Sequence, residues 1–278
     1  MSGFIDLHMH TCFSDGIYDP ARLLDTVREK RLIAFSVTDH DTLKGYHEIK
    51  NLLQDSDPEL ITGIELSVEV DSQDMHLLAY YFDPDNDSLV AAIADFQEKR
   101  NQRGRMMVEK LSEMGLDMDF EAVEKAADGP AIGRPHVAEA MFKEGLVETY
   151  EEAFYKYIGN GRPAYVPKAK LSPQMAIKLV HRAGGAVVMA HPMIGAMHQH
   201  IEELSGMGLD GIEIYHYRHD KHHVKRLRHL AERFNLVATG GSDFHGRDER
   251  EAEIGSINVP AELLQGLKMR AQQIRGNN

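Results

Sequence analysis

The residues best equipped for chemistry are histidines and carboxylates placed at the ends of apolar runs. His8 and His10 follow Leu7, and Asp15 comes next in the loop HTCFSDG. Asp39 and His40 close a second run in SVTDHD, Glu65 lies in TGIELS, and His76 opens a further run. His191 follows VVMA, while Asp243 and His245 follow LVATGG. His8 and His10 are two apart, so an extended strand points both to one side, where they can share a metal ion. Taken singly, a buried histidine is more often a hydrogen-bonded core residue than a ligand, and Asp243 alone could cap a helix. Together, nine such groups at one end of successive strands would be desolvated and crowded at a cost of several kcal/mol unless a cation neutralised them. The expected cofactor is a divalent metal cluster. Imidazole with carboxylate and no thiolate suits Mn, Fe or Zn.

The other histidines read differently. His219, His222 and His223 are spaced as a solvated helix face in RHDKHH, and His47, His181, His198, His200 and His229 are given the same reading. His216 ends the run GIEIYH on the side of the ligands, where it either touches substrate or packs. Cys12 is a small packing residue within the first motif.

The elements that must position these groups alternate. Residues 3–7, 33–37, 60–64, 186–190, Gly211–Tyr215 and Val237–Gly240 read as strands, with an extra strand at 76–82 following 60–70 across a polar turn at 71–74. Residues 20–31 read as a helix capped by Asp19 with Pro20 in its first turn. Helices are also expected at 43–53, 172–183, 198–206 and 220–234. Strand alternating with helix predicts a parallel sheet, open or closed into a barrel, with the ligands converging at the C-terminal ends of its strands. Residues 83–167 break the alternation: helices are expected at 89–114, 120–127, 135–143 and 150–157, with one strand-like run at 164–166. That stretch reads as an insertion, so the expected organisation is a barrel of 1–82 and 168–278 interrupted at 83–167. Arg100, Arg103 and Arg105 fall on its long helix; they could face the cleft, and a solvated face is the reading for most of them.

Composition narrows the partners. Lysine and arginine total 31 against 44 acids, a net charge of −13, which excludes a broad basic face for long nucleic acid. Any polyanion must meet a local positive site, which metal ions can supply. One cysteine, no signal-peptide pattern and no apolar run of membrane length lead to a cytoplasmic expectation with no membrane partner.

HMHTCFSDG, TDHD, GIELS, the lone His76, AHP at 190–192 and SDFH at 242–245 resemble, in order along nearly the whole chain, the motifs of the polymerase and histidinol phosphatase (PHP) family. The resemblance implies an α/β fold, a distorted (β/α)7 barrel with a helical cap insertion, and a trinuclear site. One metal would be held by His8, His10, Glu65 and Asp243, a second by Glu65, His76 and His191, and a third by Asp15, His40 and His245. Asp39 and Asp41 would orient ligands. IGRPH at 132–136 is similar to the subgroup of 3′,5′-nucleotide bisphosphate phosphatases and 5′→3′ exoribonucleases, and implies phosphate contacts from Arg134 and His136. The implied activity is removal of the 3′-phosphate from nucleoside 3′,5′-bisphosphates, with hydrolysis of short 5′-phosphorylated RNA from its 5′ end. His191, Asp243, His245 and Arg134 would be the catalytic set, with Arg134, His136 and His216 binding substrate. The expected partners are thus a small phosphorylated nucleotide and short single-stranded RNA ends. Histidinol phosphate phosphatase is the competing phosphoesterase. An amidohydrolase would carry a bridging lysine where Glu65 stands, and a non-catalytic module would have lost ligands that are all present.

Overall fold

The computed structural model describes residues 4–71, 73–127, 132–167, 171–247 and 252–277. The chain divides into two compact units, one of Met1–Val90 with Lys170–Asn278 and one of Ala91–Ala169.

The first unit is a mixed α/β structure with two sheets. β1 (Phe4–Asp6), β2 (Ala34–Ser36) and β3 (Glu59–Ile61) run parallel, and β9 (Val259–Pro260) joins the outer edge of β1 antiparallel, giving the order β3-β2-β1-β9. β4 (Gly63–Val70), β5 (Gln73–Tyr80), β6 (Ala186–Met189), β7 (Gly211–Tyr215) and β8 (Val237–Gly240) form the second sheet in sequence order. The parallel arrangement expected from the strand-helix alternation does not extend to the extra strand β5, which is antiparallel to both β4 and β6. The cause is the short link from Val70 to Gln73: no crossover helix fits there, so the chain must reverse. Single bridges, Met9 to Phe244 and His40 to Glu65, link the two sheets, and no continuous ladder joins them among the described residues.

Local sequence explains the helices of this unit. Asp19 caps α1 (Pro20–Glu29) by accepting the Arg22 N–H at 2.8 Å, and Leu23, Leu24 and Val27 turn inward. α2 (Lys44–Leu52) follows β2. Ser172 caps α7 (Pro173–Arg182), and Asp220 caps α9 (Lys221–Phe234) by accepting from the His222 and His223 N–H groups, each at 2.8 Å. That cap corrects the reading of His219. It lies before the helix, is buried, and its Nδ1 donates to the Ile214 carbonyl at 2.9 Å. His200 is also buried, because a 3-10 turn over Ile194–His200 precedes α8 (Ile201–Met207) in place of one regular helix. β9 and α10 (Leu263–Asn277) carry no strong punctuation in the sequence, yet Val259, Leu267 and Ala271 complete a core with Ile5, Leu78 and Val188.

The second unit is helical. It contains most of α3 (Asp87–Glu113), then α4 (Phe120–Ala127), α5 (Arg134–Lys143) and the short α6 (Tyr150–Glu152), which continues as a π-helix over Ala153–Ile158. Its own core includes Leu111, Val123, Val137, Met141, Ile158 and Ala164. Residues 164–166 are not a strand. Arg103 is buried, contrary to the solvated-face reading, and its Nε donates to the Val166 carbonyl at 2.8 Å. Arg105 is exposed, beside Glu124 and over Phe120. No helix among the described residues is long and apolar enough to cross a membrane.

Candidate metal centre

The segment after β1 is the spine of the site. His10 N–H donates to the Phe244 carbonyl at 2.9 Å, Asp243 N–H to the His8 carbonyl at 2.8 Å, and Thr38 N–H to the Met9 carbonyl at 2.9 Å. Three stretches remote in sequence are thereby stitched side by side. The approach is so close at Gly241 that a Cβ there would overlap the backbone of His8. Asp41 N–H donates to the Glu65 carbonyl at 2.9 Å, which brings β4 against the end of β2.

Glu65 is buried at the centre of five imidazoles. Its Oε2 lies 3.2 Å from His8 Nε2, 3.2 Å from His10 Nε2 and 3.3 Å from His40 Nδ1. Its Oε1 lies 3.1 Å from His76 Nδ1 and 3.4 Å from His191 Nε2. Asp243 Oδ1 closes one group, 3.2 Å from His8 Nε2 and 3.3 Å from His10 Nε2. Asp15 gathers another, 3.6 Å from His10 and His40 and 3.3 Å from His245. Three sets have ligand atoms close enough to hold one ion each: His8, His10, Glu65 and Asp243; His10, Asp15, His40 and His245; and His40, Glu65 and His76. All nine sequence-predicted ligand positions therefore meet. The grouping differs in detail, since His10 also turns Nδ1 toward Asp15 and His40 presents Nδ1 to Glu65 beside His76, while His191 approaches Oε1.

These donors fit divalent cations. His10 Nε2, His40 Nδ1 and Glu65 Oε1 are buried without a hydrogen-bond partner among the described residues, which a site without an ion leaves unexplained. The protonation pattern agrees. Burial disfavours charge on His8, but Glu213, Asp243 and Glu65 outweigh it and hold its pKa well above the ordinary range. Burial likewise opposes His10, yet the carboxylates of Asp243 and Glu65 facing its Nε2 raise it to about 10. Glu65, Asp15 and Asp243 are held well below the carboxylate range: burial opposes their charge, and the surrounding imidazoles overcome it. Burial and the neighbouring His76 and His10 bring His40 down to about 3, despite Glu65 and Asp15. Protons thus do in the metal-free chain what cations would do in the loaded one.

Several groups hold the ligands in place. Asp39 accepts from Thr11 N–H, Thr11 Oγ1 and Ser14 Oγ, each at 2.7 Å, and so fixes the HTCFSDG loop. Asp41 accepts from Ser67 N–H and Oγ at 2.8 Å. His245 Nδ1 donates to the Asp243 carbonyl at 2.9 Å, so its Nε2 faces Asp15 without a proton once a cation binds. His216 is buried, and its Nε2 lies 3.1 Å from Asp243 Oδ2. Glu213 escaped sequence reasoning: it is one acid in an apolar strand, with no motif around it. It lies fully buried on β7, its Oε1 2.9 Å from His8 Nδ1. The open side of the centre is lined by Asp15, His76 and His245, whose side chains are 32%, 27% and 18% exposed.

In the second unit, Arg134 opens α5 and is half-buried. Its Nη1 donates to Asn160 Oδ1 at 2.8 Å and its guanidinium stands over the Tyr165 ring. His136 is buried, with Nδ1 accepting the Gly133 N–H at 3.1 Å, which closes the first turn of the helix on itself.

Against known families, residues 6–169 match the PHP domain. The chain belongs to the PHP family. Relatives of similar length include the 5′-3′ exoribonuclease Rnm of Escherichia coli K12, 29% identical over 86% of this chain and 84% of that protein. The 3′,5′-nucleoside bisphosphate phosphatase of Chromobacterium violaceum is 29% identical over 90% of each chain. Among solved structures, a candidate metal-dependent phosphoesterase from Bifidobacterium adolescentis superposes with a TM-score of 0.82, at 29% identity over 96% of each chain. This chain is a metal-dependent phosphoesterase of the PHP family.

Proposed function

We propose that the enzyme removes the 3′-phosphate from nucleoside 3′,5′-bisphosphates and hydrolyses short 5′-phosphorylated RNA from its 5′ end. The observation that carries the phosphoesterase reading is the convergence of five imidazoles on Glu65, flanked by Asp15 and Asp243. The nucleotide reading rests on the relatives named above and on IGRPH. The two bridges between sheets support a (β/α)7-type barrel around this centre.

His8, His10, Glu65 and Asp243 would hold one ion, Glu65 with His76 and His191 a second, and Asp15, His40 and His245 a third; Mn, Fe and Zn suit these donors. Bound there, divalent cations lower the pKa of water and stabilise charge on phosphoryl oxygens. The chain's own groups do the rest. Asp15, His76 and His245 line the side from which a phosphate can approach. Asp39 and Asp41 would hold the ligand segments in place through the hydrogen bonds they accept from Thr11, Ser14 and Ser67. His216 holds the outer oxygen of Asp243, leaving Oδ1 to face His8 and His10. The leaving oxygen must gain a proton, and with His191 and His245 engaged as ligands it would come from solvent at the open side of the centre. Arg134, ordered by Asn160, would contact the substrate's second phosphate, with His136 shaping the turn that presents it.

The test compares phosphate release from adenosine 3′,5′-bisphosphate, adenosine 3′-monophosphate and histidinol phosphate. Preference for the bisphosphate over both is expected. Equal rates on the first two would remove the 5′-phosphate contact, and preference for the third would replace the reading with histidinol phosphate phosphatase.

A further inference from the structure

Glu213 lies in the middle of β7, is fully buried, and its two oxygens reach two candidate ligands from different strands. Oε1 is 2.9 Å from His8 Nδ1, and Oε2 accepts the His191 backbone N–H at 2.8 Å. His191 has φ 27°, a left-handed conformation that a residue with a Cβ adopts only when its surroundings enforce it. The β7–β8 pairing shifts register between Glu213 and Tyr215, the kind of irregularity that re-aims a side chain beside a site. We propose that Glu213 is a positioning residue of the metal centre. One carboxylate holds His8 with its proton on Nδ1 and holds the His191 backbone in its left-handed turn, so that the Nε2 atoms of both rings face Glu65.

The geometry at the far side of each ring agrees. With Nδ1 engaged by Glu213, His8 Nε2 stands 3.2 Å from both Glu65 Oε2 and Asp243 Oδ1. His191 Nε2 stands 3.4 Å from the other oxygen of Glu65. A histidine that binds metal through one nitrogen needs an acceptor for the proton on the other, and an anionic acceptor also raises its basicity. Glu213 supplies that to His8 and at the same time sets the backbone of His191. Both functions require acceptor oxygens: glutamine has the same shape but one acceptor, and its amide would turn N–H groups toward an N–H. A residue that merely filled space would tolerate glutamine.

This inference rests on the metal centre proposed above, and the test separates the two. Full-length protein is stripped of metal and titrated with Mn2+ against a competing chelator, for wild type, Glu213→Gln and Glu213→Ala, with thermal melts of the metal-free forms. Glu213→Gln is expected to bind Mn2+ about 10- to 100-fold more weakly while remaining folded, with Glu213→Ala no better. A folded Glu213→Gln that binds Mn2+ as wild type does overturns this inference alone. Wild type that binds no Mn2+ overturns the metal centre and the inference with it. If neither variant folds, 15N NMR of the Zn2+-loaded wild type decides: the inference requires the His8 proton on Nδ1, and a proton on Nε2 contradicts it.

Discussion

Replacing Glu65 with glutamine is the most informative single change, because it keeps the shape and removes the charge at the point where the ligands meet. The carboxylate is 1% exposed, and five imidazole nitrogens lie within 3.4 Å of it. At an effective dielectric of about 20, a unit charge about 4 Å away is worth about 4 kcal/mol per unit of cation charge, or roughly three orders of magnitude in affinity. Two of the ion positions share this residue, so the loss should appear as fewer ions bound and not only as weaker binding. The assay is Mn2+ titration of stripped protein followed by elemental analysis after desalting. The metal-free protein supplies an internal control with a defined sign. His10, raised from 6.5 to about 10, contributes stability that is fully present below about pH 6.5 and is lost as pH rises through about 10. Glu65 is one source of that shift, so the variant's loss of metal-free stability should be greatest near pH 6 and shrink toward pH 10. A Glu65→Gln protein that keeps full metal content and activity would refute the bridging role.

Other perturbations act on separate parts. Arg134→Ala should lower activity on 5′-phosphorylated substrates by about one to two orders of magnitude, from loss of a charge-assisted contact worth roughly 1.5–3 kcal/mol, with metal content unchanged; equal losses on 5′-hydroxyl substrates would contradict the assignment. Between pH 6.5 and 10 the melting temperature of stripped protein should fall, because the unfolded-state histidine gives up its proton near 6.5 while folded His10 keeps its own until about 10, and the increment given by Mn2+ should grow as competition from protons weakens; parallel curves would contradict this. Gly45→Ala should disturb the first motif without touching a ligand, because a Cβ there would overlap Asp39 Oδ2 and stand 2.8 Å from Thr11 Oγ1; unchanged Mn2+ affinity would show that the loop has slack. Replacing residues 91–169 by a short linker should leave metal binding intact and cost more activity on nucleotides than on an aryl phosphate.

The candidate ligands were legible in the sequence because all but His76, which stands alone at the start of a run, sit in short motifs at or just after the ends of apolar runs, where type and position are visible together. β7 and β8 were legible to the residue for the same reason, since their apolar runs end at a turn and at a paired glycine. What the sequence hid depends on tertiary neighbours. Glu213 is a lone acid in GIEIY, indistinguishable from a solvent-facing strand residue until β7 is packed on both faces. Spacing in RHDKHH groups His219 with His222 and His223, although the helix expected from residue 220 leaves it outside, and only the packing before the Asp220 cap shows that it belongs to the core. The reversal at β5 turned on the length of one link. His216 could be placed at the site but not oriented, and its contact with Asp243 emerges only when the ends of β7 and β8 meet.

The metal content of gently purified protein tests the central claim most directly. With three ligand sets in the centre, about three divalent transition-metal ions per chain are predicted, lost together with activity on chelation and restored together by Mn2+. Full phosphoesterase activity in protein that holds no transition metal and ignores chelators would contradict the account.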